Sequence, residues 1–442
     1  MRRTQIASIL IALVVITGVV PLFAQTPAEV FDVLGYAATI RPDIAAKTVA
    51  GDVDIRLRIL AADVRTIEFD RGELVVDDVR ASSERLAFDL LPKRVRVQLV
   101  KPEAPGTELA LSIAYHGAPR NGLQFVPERQ QAYTIFSTSQ WLICVDAPAD
   151  KATLDLRVVL PAGLHAVGSG TLVSETPGPN GTVVHRWREE RPISSYLFGF
   201  AAGRFVESRP ERAGTALRYI GEGVSVEELN RIFGDTPDML EFFATRAGVD
   251  YPRDSYEQVL VANTAGQEAW GFALFSDAYG RAVLDDPSGV WLIAHELAHQ
   301  WWGNLVTCQD WNHFWLNEGF ASFMADAYDE HRFGREAYLK DVERARARYE
   351  AVREAGHDRS LVFPDWNHPT TDDRTLVYQK GAYVLHLLRE QMGDDAFWNG
   401  IRHYTTRYAG GSVTTDDFKQ SMEQSSGMKL DAFFDRWIYA RS

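Results

Sequence analysis

The chain has 442 residues, 46% of them apolar, and a formal net charge of −14. That apolar fraction suffices for a packed core, and the length allows two or three domains. The acidic balance argues against a nucleic-acid partner, which would require a basic face to neutralise phosphates.

Met1-Arg2-Arg3 is a short positive region, and residues 6–23 form an almost continuous apolar run with Pro21 near its end. Ala24 suits the last position before a cleavage point. This predicts a signal peptide over residues 1–24 and a mature chain that is secreted or periplasmic. The run is long enough that an uncleaved anchor stays open as the alternative. No later run predicts a membrane span. The two cysteines, Cys144 and Cys308, lie far apart and read as buried free thiols rather than a disulfide framework.

Residues 25–205 are predicted to be an all-β domain of saddle or sandwich type. Residues 52–60 and 94–100 alternate polar and apolar side chains with the period of a half-buried strand. Clusters such as Pro177-Gly178-Pro179-Asn180-Gly181 punctuate further strands, and residues 182–187 complete a hairpin. The pattern changes beyond the polar stretch at 206–215. Residues 224–246 have helical spacing, 255–261 read as a strand, and helices are predicted over 312–330, 336–354, 376–391, 396–408 and 415–424. A mostly helical second domain over 206–442 follows.

The most informative segment is His295-Glu296-Leu297-Ala298-His299, with Glu318 in Leu316-Asn317-Glu318-Gly319-Phe320-Ala321 after a further eighteen residues. Histidines four apart lie one turn apart on one helix face, so both can reach a single ion. Two imidazoles, one carboxylate and an open fourth position are the ligand set of a catalytic Zn²⁺ site. Glu296 is placed to take a proton from the attacking water. The competing reading is a buried amphipathic helix whose histidines are merely hydrogen-bonded. The apolar lead-in at 290–294 and the stop signal at Gly303-Asn304 favour the metal.

With these residues the chain resembles the aminopeptidase N family of zinc metallopeptidases, gluzincins with a thermolysin-like catalytic domain. Asp146-Ala147-Pro148-Ala149-Asp150-Lys151-Ala152-Thr153 is similar to a D-x-P-x-D-K-A-T stretch of that family's β domain, and Tyr378-Gln379-Lys380-Gly381-Ala382 to its Y-x-K-G-A segment. Gly266-Gln267-Glu268-Ala269-Trp270-Gly271 resembles the family's A-M-E-N-W-G strand, with Ala269 in place of Asn. The resemblance implies one zinc ion on His295, His299 and Glu318, with Glu296 as the base. It further implies that Tyr378 donates to the oxyanion and that Glu268 holds the substrate's free α-amine. The edge of the strand carrying Gly266 and Gln267 would pair with the peptide backbone. The family often has a Glu seven residues beyond the ligand Glu; here that position is Ala325, with Asp326 next to it. Many members also continue into a capping domain, so a more open site is expected of a chain ending with the catalytic domain.

These residues predict a zinc aminopeptidase acting on peptides with a free N-terminus. A thermolysin-like endopeptidase and a catalytically silent peptide-binding scaffold remain as alternatives. Epoxide hydrolysis at the same zinc has no positive sign in the sequence.

Overall fold

The computed structural model describes residues 27–211, 214–264, 266–363 and 369–440, so the predicted signal segment lies outside the described residues. An eight-stranded sheet dominates the first part of the chain. Its centre is β1 (Phe31–Asp43), β2 (Thr48–Ile59), β3 (Lys151–Pro161) and β4 (Thr182–Ser194). β1 pairs antiparallel with β2 and parallel with β3, which pairs antiparallel with β4. The alternation in the sequence decides which face packs: Val53, Ile55, Leu57 and Ile59 are buried, and the residues between them are exposed. Three- and four-stranded sheets complete this β part.

A five-stranded sheet opens the second part. Val206–Ser208, in the polar stretch, pairs with β5 (Ala216–Gly221), followed in space by β6 (Ser255–Val261), β8 (Phe272–Ser276) and β7 (Gly266–Ala269). β7 is the edge, antiparallel to β8, with Glu268 opposite Ala273. Helices then take over: α1 (Thr236–Ala247), α2 (Trp291–Ala298), α3 (Trp315–Phe333), α4 (Arg335–Glu354) and, after a π-helical turn at Leu376–Lys380, α5 (Gly381–Met392). The helix predicted over 224–246 is two helices, because the chain turns at Gly234, where a Cβ would sit 2.9 Å from the Asn230 carbonyl.

The two parts share a continuous core and a polar seam. Lys151 Nζ donates to Thr307 Oγ1 and the Gly411 carbonyl, each at 2.9 Å. Glu189 accepts from Trp270 Nε1 at 2.7 Å and also pairs with Arg253. Tyr196 donates to the Gly303 carbonyl at 2.8 Å and accepts from Asn317 Nδ2 at 3.1 Å. The β part thereby braces both the loop after α2 and the start of α3. Cys144 and Cys308 are buried free thiols. No helix among the described residues is long and apolar enough to cross a membrane.

Candidate active site

α2 places His295 and His299 on one face, and α3 crosses it so that Glu318 meets both. His295 Nε2 and His299 Nε2 are 3.1 Å apart, and Glu318 Oε2 is 3.3 Å from each. All three side chains are buried. Glu318 Oε2 nonetheless has no well-aligned hydrogen bond. Donors about 2.0–2.1 Å from one tetrahedral ion lie roughly 3.3 Å from one another. Two nitrogens and an oxygen at that spacing, converging without hydrogen bonds to satisfy them all, fit a zinc ion. Burial opposes ionisation of Glu318, but the His299 and His295 imidazoles beside it hold its carboxyl down at about 2.

The far nitrogens of the two rings are held differently. His299 Nδ1 lies 3.1 Å from the Trp302 carbonyl. The turn that supplies this carbonyl needs Gly303, which has φ of +126° and whose Cβ would crowd His299 Nδ1 at 3.0 Å. His295 Nδ1 faces Ser322 Oγ at 3.5 Å. Ala325 is fully buried and offers no polar atom, and Asp326 instead accepts from Trp291 Nε1 at 2.7 Å. The neighbour of Ala325 therefore does not take over its absent carboxylate's direct contact, as the 100° rotation between adjacent helix positions dictates.

Two more carboxylates converge here, Glu296 from α2 and Glu268 from β7. Ligand atoms of Glu268, Glu296 and His299 lie within 4.8 Å of one another. Glu296 is the second residue of the histidine motif, and its Oε2 is buried without a partner. Burial pushes its carboxyl well above the ordinary range; His299 opposes this, and Glu268 and Glu318 add to it. Gly266 faces Glu296 Oε1, where any Cβ would collide with that oxygen. Gln267 Nε2 donates to Glu268 Oε2 at 2.7 Å, leaving Glu268 Oε1 buried and unpartnered. Burial raises Glu268 to about 7, with His299 opposing.

Tyr378 comes from the π-helical turn, a widened coil often found at functional positions. Its ring lies nearly parallel to His295, centroids 5.9 Å apart. Burial, then Glu318 and Glu268, pushes its hydroxyl well up, so it stays a protonated donor. Below it Gly381 meets Gly319 of α3 backbone to backbone, a Cβ on Gly319 falling 2.9 Å from Gly381 Cα. That contact sets how closely Tyr378 approaches the helix bearing Glu318.

Sequence reasoning missed Gln300 and Asn304. Their side-chain amides donate to the Ala269 carbonyl at 2.9 and 3.1 Å, and Gln300 Oε1 accepts from the Gly271 amide at 3.1 Å. They pin the end of β7 where the resembled family has Asn. Gln300 offered only its adjacency to His299, and Asn304 was read only as part of the helix stop signal. Trp291 was read only as part of the apolar lead-in at 290–294, although its place one turn before His295 was visible.

The profile of the peptidase M1 N-terminal domain matches residues 34–197, and that of the peptidase family M1 domain matches residues 232–437. The chain belongs to peptidase family M1. This M1 chain is 29% identical to aminopeptidase M1-B of Oryza sativa subsp. japonica over 91% of its length and 49% of the rice protein. It is 30% identical to aminopeptidase N of Rattus norvegicus over 67% of its length and 33% of that protein. It thus spans half or less of these curated relatives. Its fold matches an M1 zinc metallopeptidase from Deinococcus radiodurans with a TM-score of 0.78 at 24% identity, covering 94% of each chain.

Proposed function

We propose that this M1 chain is a zinc-dependent aminopeptidase that removes residues from the free N-terminus of peptides. The observation that carries the reading is Glu268. A buried carboxylate with one unpartnered oxygen, close to the unpartnered Glu296 and the metal triad, is a receptor for an ammonium group next to a hydrolytic centre.

A zinc ion held by His295, His299 and Glu318 would supply the Lewis acid for the scissile carbonyl and the water. Glu296 takes the proton of the attacking water and delivers it to the leaving amine. The Tyr378 hydroxyl donates to the oxygen on which negative charge develops. Glu268 and the open edge of β7, including Gly266 and Gln267, align the peptide so that its first bond meets these groups.

The names of the relatives support this reading, as does the intact set of ligands, base and phenol. The export segment rests on the sequence of residues 1–24 and places the mature protein in a secreted or periplasmic setting. Fluorogenic aminoacyl amides and their N-acetylated forms, each with and without a chelator, test the proposal. Chelator-sensitive cleavage restricted to free amines is expected, and Glu268→Gln should lower kcat/KM for them by roughly 30–100-fold. Cleavage of the acetylated set at equal rates would establish an endopeptidase. Zinc binding with no cleavage would establish a silent scaffold.

A further inference from the structure

His299 is oriented by a backbone carbonyl, which the fold fixes. Among the described residues, His295 Nδ1 meets only the Ser322 hydroxyl, at 3.5 Å, the limit of a hydrogen bond. Its orientation is set mainly by aromatic faces. Trp291, one turn earlier on α2, stacks on it at 5.1 Å between centroids with planes 25° apart. Tyr378 is the second parallel ring, at 15°. The Trp291 indole is in turn fixed by its Nε1–H, which donates to Asp326 Oδ1 at 2.7 Å.

Asp326 is the unexplained member of this group. It is 5% exposed, and a buried carboxyl costs stability unless its hydrogen bonds serve some end. It lies one turn beyond Ser322 on α3, and the two line a cavity of about 220 Å³ with Trp291 and Gln379. Ser322 and Asp326 therefore stand behind His295 on one face of α3, the first facing the imidazole and the second holding the indole stacked on it.

We propose that Asp326 is a positioning residue for His295, acting through the Trp291 indole, and that Ser322 sets the imidazole tautomer by accepting its Nδ1–H bond. A relay through a stacked indole takes the place of a carboxylate bonded directly to the imidazole. Ligand orientation of this kind governs metal affinity, typically by 10–100-fold. The inference rests on the reading of His295 as a zinc ligand.

The test is zinc affinity of the purified mature chain, measured by competition with a chromophoric chelator, with thermal melting to confirm folding. Trp291→Phe keeps a stacking ring and loses the N–H. Asp326→Ala loses the acceptor. Each is expected to weaken zinc binding by about tenfold or more. Asp326→Asn, which keeps an oxygen for the indole, should restore affinity to within about threefold of the unmodified chain. The double variant Trp291→Phe/Asp326→Ala should bind no more weakly than the worse single one, because both cut the same link. Unchanged affinity in both folded single variants, or losses that add in the double variant, would overturn the relay. If Asp326→Ala does not fold, the contrast between Trp291→Phe and Asp326→Asn decides the same point. Failure of the unmodified chain to bind zinc would instead remove the metal reading beneath it.

Discussion

Across the eight-stranded sheet, ion pairs such as Arg41–Asp52 and Arg58–Glu108 lie half-exposed on the strand faces. Around α2 and α3 the arrangement is inverted: Glu268, Glu296, His295, His299 and Glu318 are all buried, as are Asp326, Asp329 and Asp341. The first region keeps charge in water, where each pair contributes little. The second takes carboxyl and imidazole groups out of water at a cost to folding, which marks it as the region where a site is to be sought. The contrast marks one part of the molecule as scaffold and the other as machinery.

Substitutions should separate the two regions by orders of magnitude. Glu296→Gln keeps the shape of the side chain and removes the base. It should lower kcat/KM by roughly 10³-fold or more with zinc content unchanged, as steady-state kinetics and metal analysis will report. Retained activity would deny Glu296 its role. Tyr378→Phe should reduce kcat by roughly 10²-fold while leaving KM nearly constant, since the hydroxyl acts on charge that exists only in the transition state.

The buried acids should also leave a mark on stability. Burial, then Asp341, pushes Asp329 up to about 8, and burial raises Asp326 to about 8. Each carboxyl keeps its proton in the folded chain at pH values where the unfolded chain has lost it. The contribution of these two carboxyls to stability is therefore greatest in mild acid and is lost as pH rises from about 4 towards 8. Melting curves at saturating zinc should show that decline, and Asp329→Asn should flatten it by roughly 1–3 kcal/mol across the range. A pH-independent melting point would remove this part of the contrast. The smallest effect belongs to the scaffold: Arg58→Ala should change stability by less than about 0.5 kcal/mol in chemical denaturation.

Much of this was legible in the sequence where a single element carries the information. The period-two pattern read over residues 52–60 follows β2 to its end at Ile59, because alternation reports one buried face, and 255–261 coincides with β6, whose second half is buried on both faces. The spacing of His295 and His299 needed only one helix turn to be understood. Contacts made between elements were not legible. The hydrogen bond between Trp291 and Asp326 joins two helices across 35 positions of sequence. The two amides on the Ala269 carbonyl depend on how α2 packs against β7. The π-helical turn under Tyr378 was equally hidden, since residues 376–391 have the apolar spacing of an ordinary helix.

The edge strand has one further consequence. Gly266 lies against Glu296, and Ala269 is pinned by Gln300 and Asn304, so β7 cannot slip lengthwise: one step would drive a side chain into the carboxylate. Glu268 stands two residues from that contact, about 6.8 Å along an antiparallel strand. On the proposed aminopeptidase reading, β7 would be a ruler with its zero fixed, setting how far from a chain's end the cut is made.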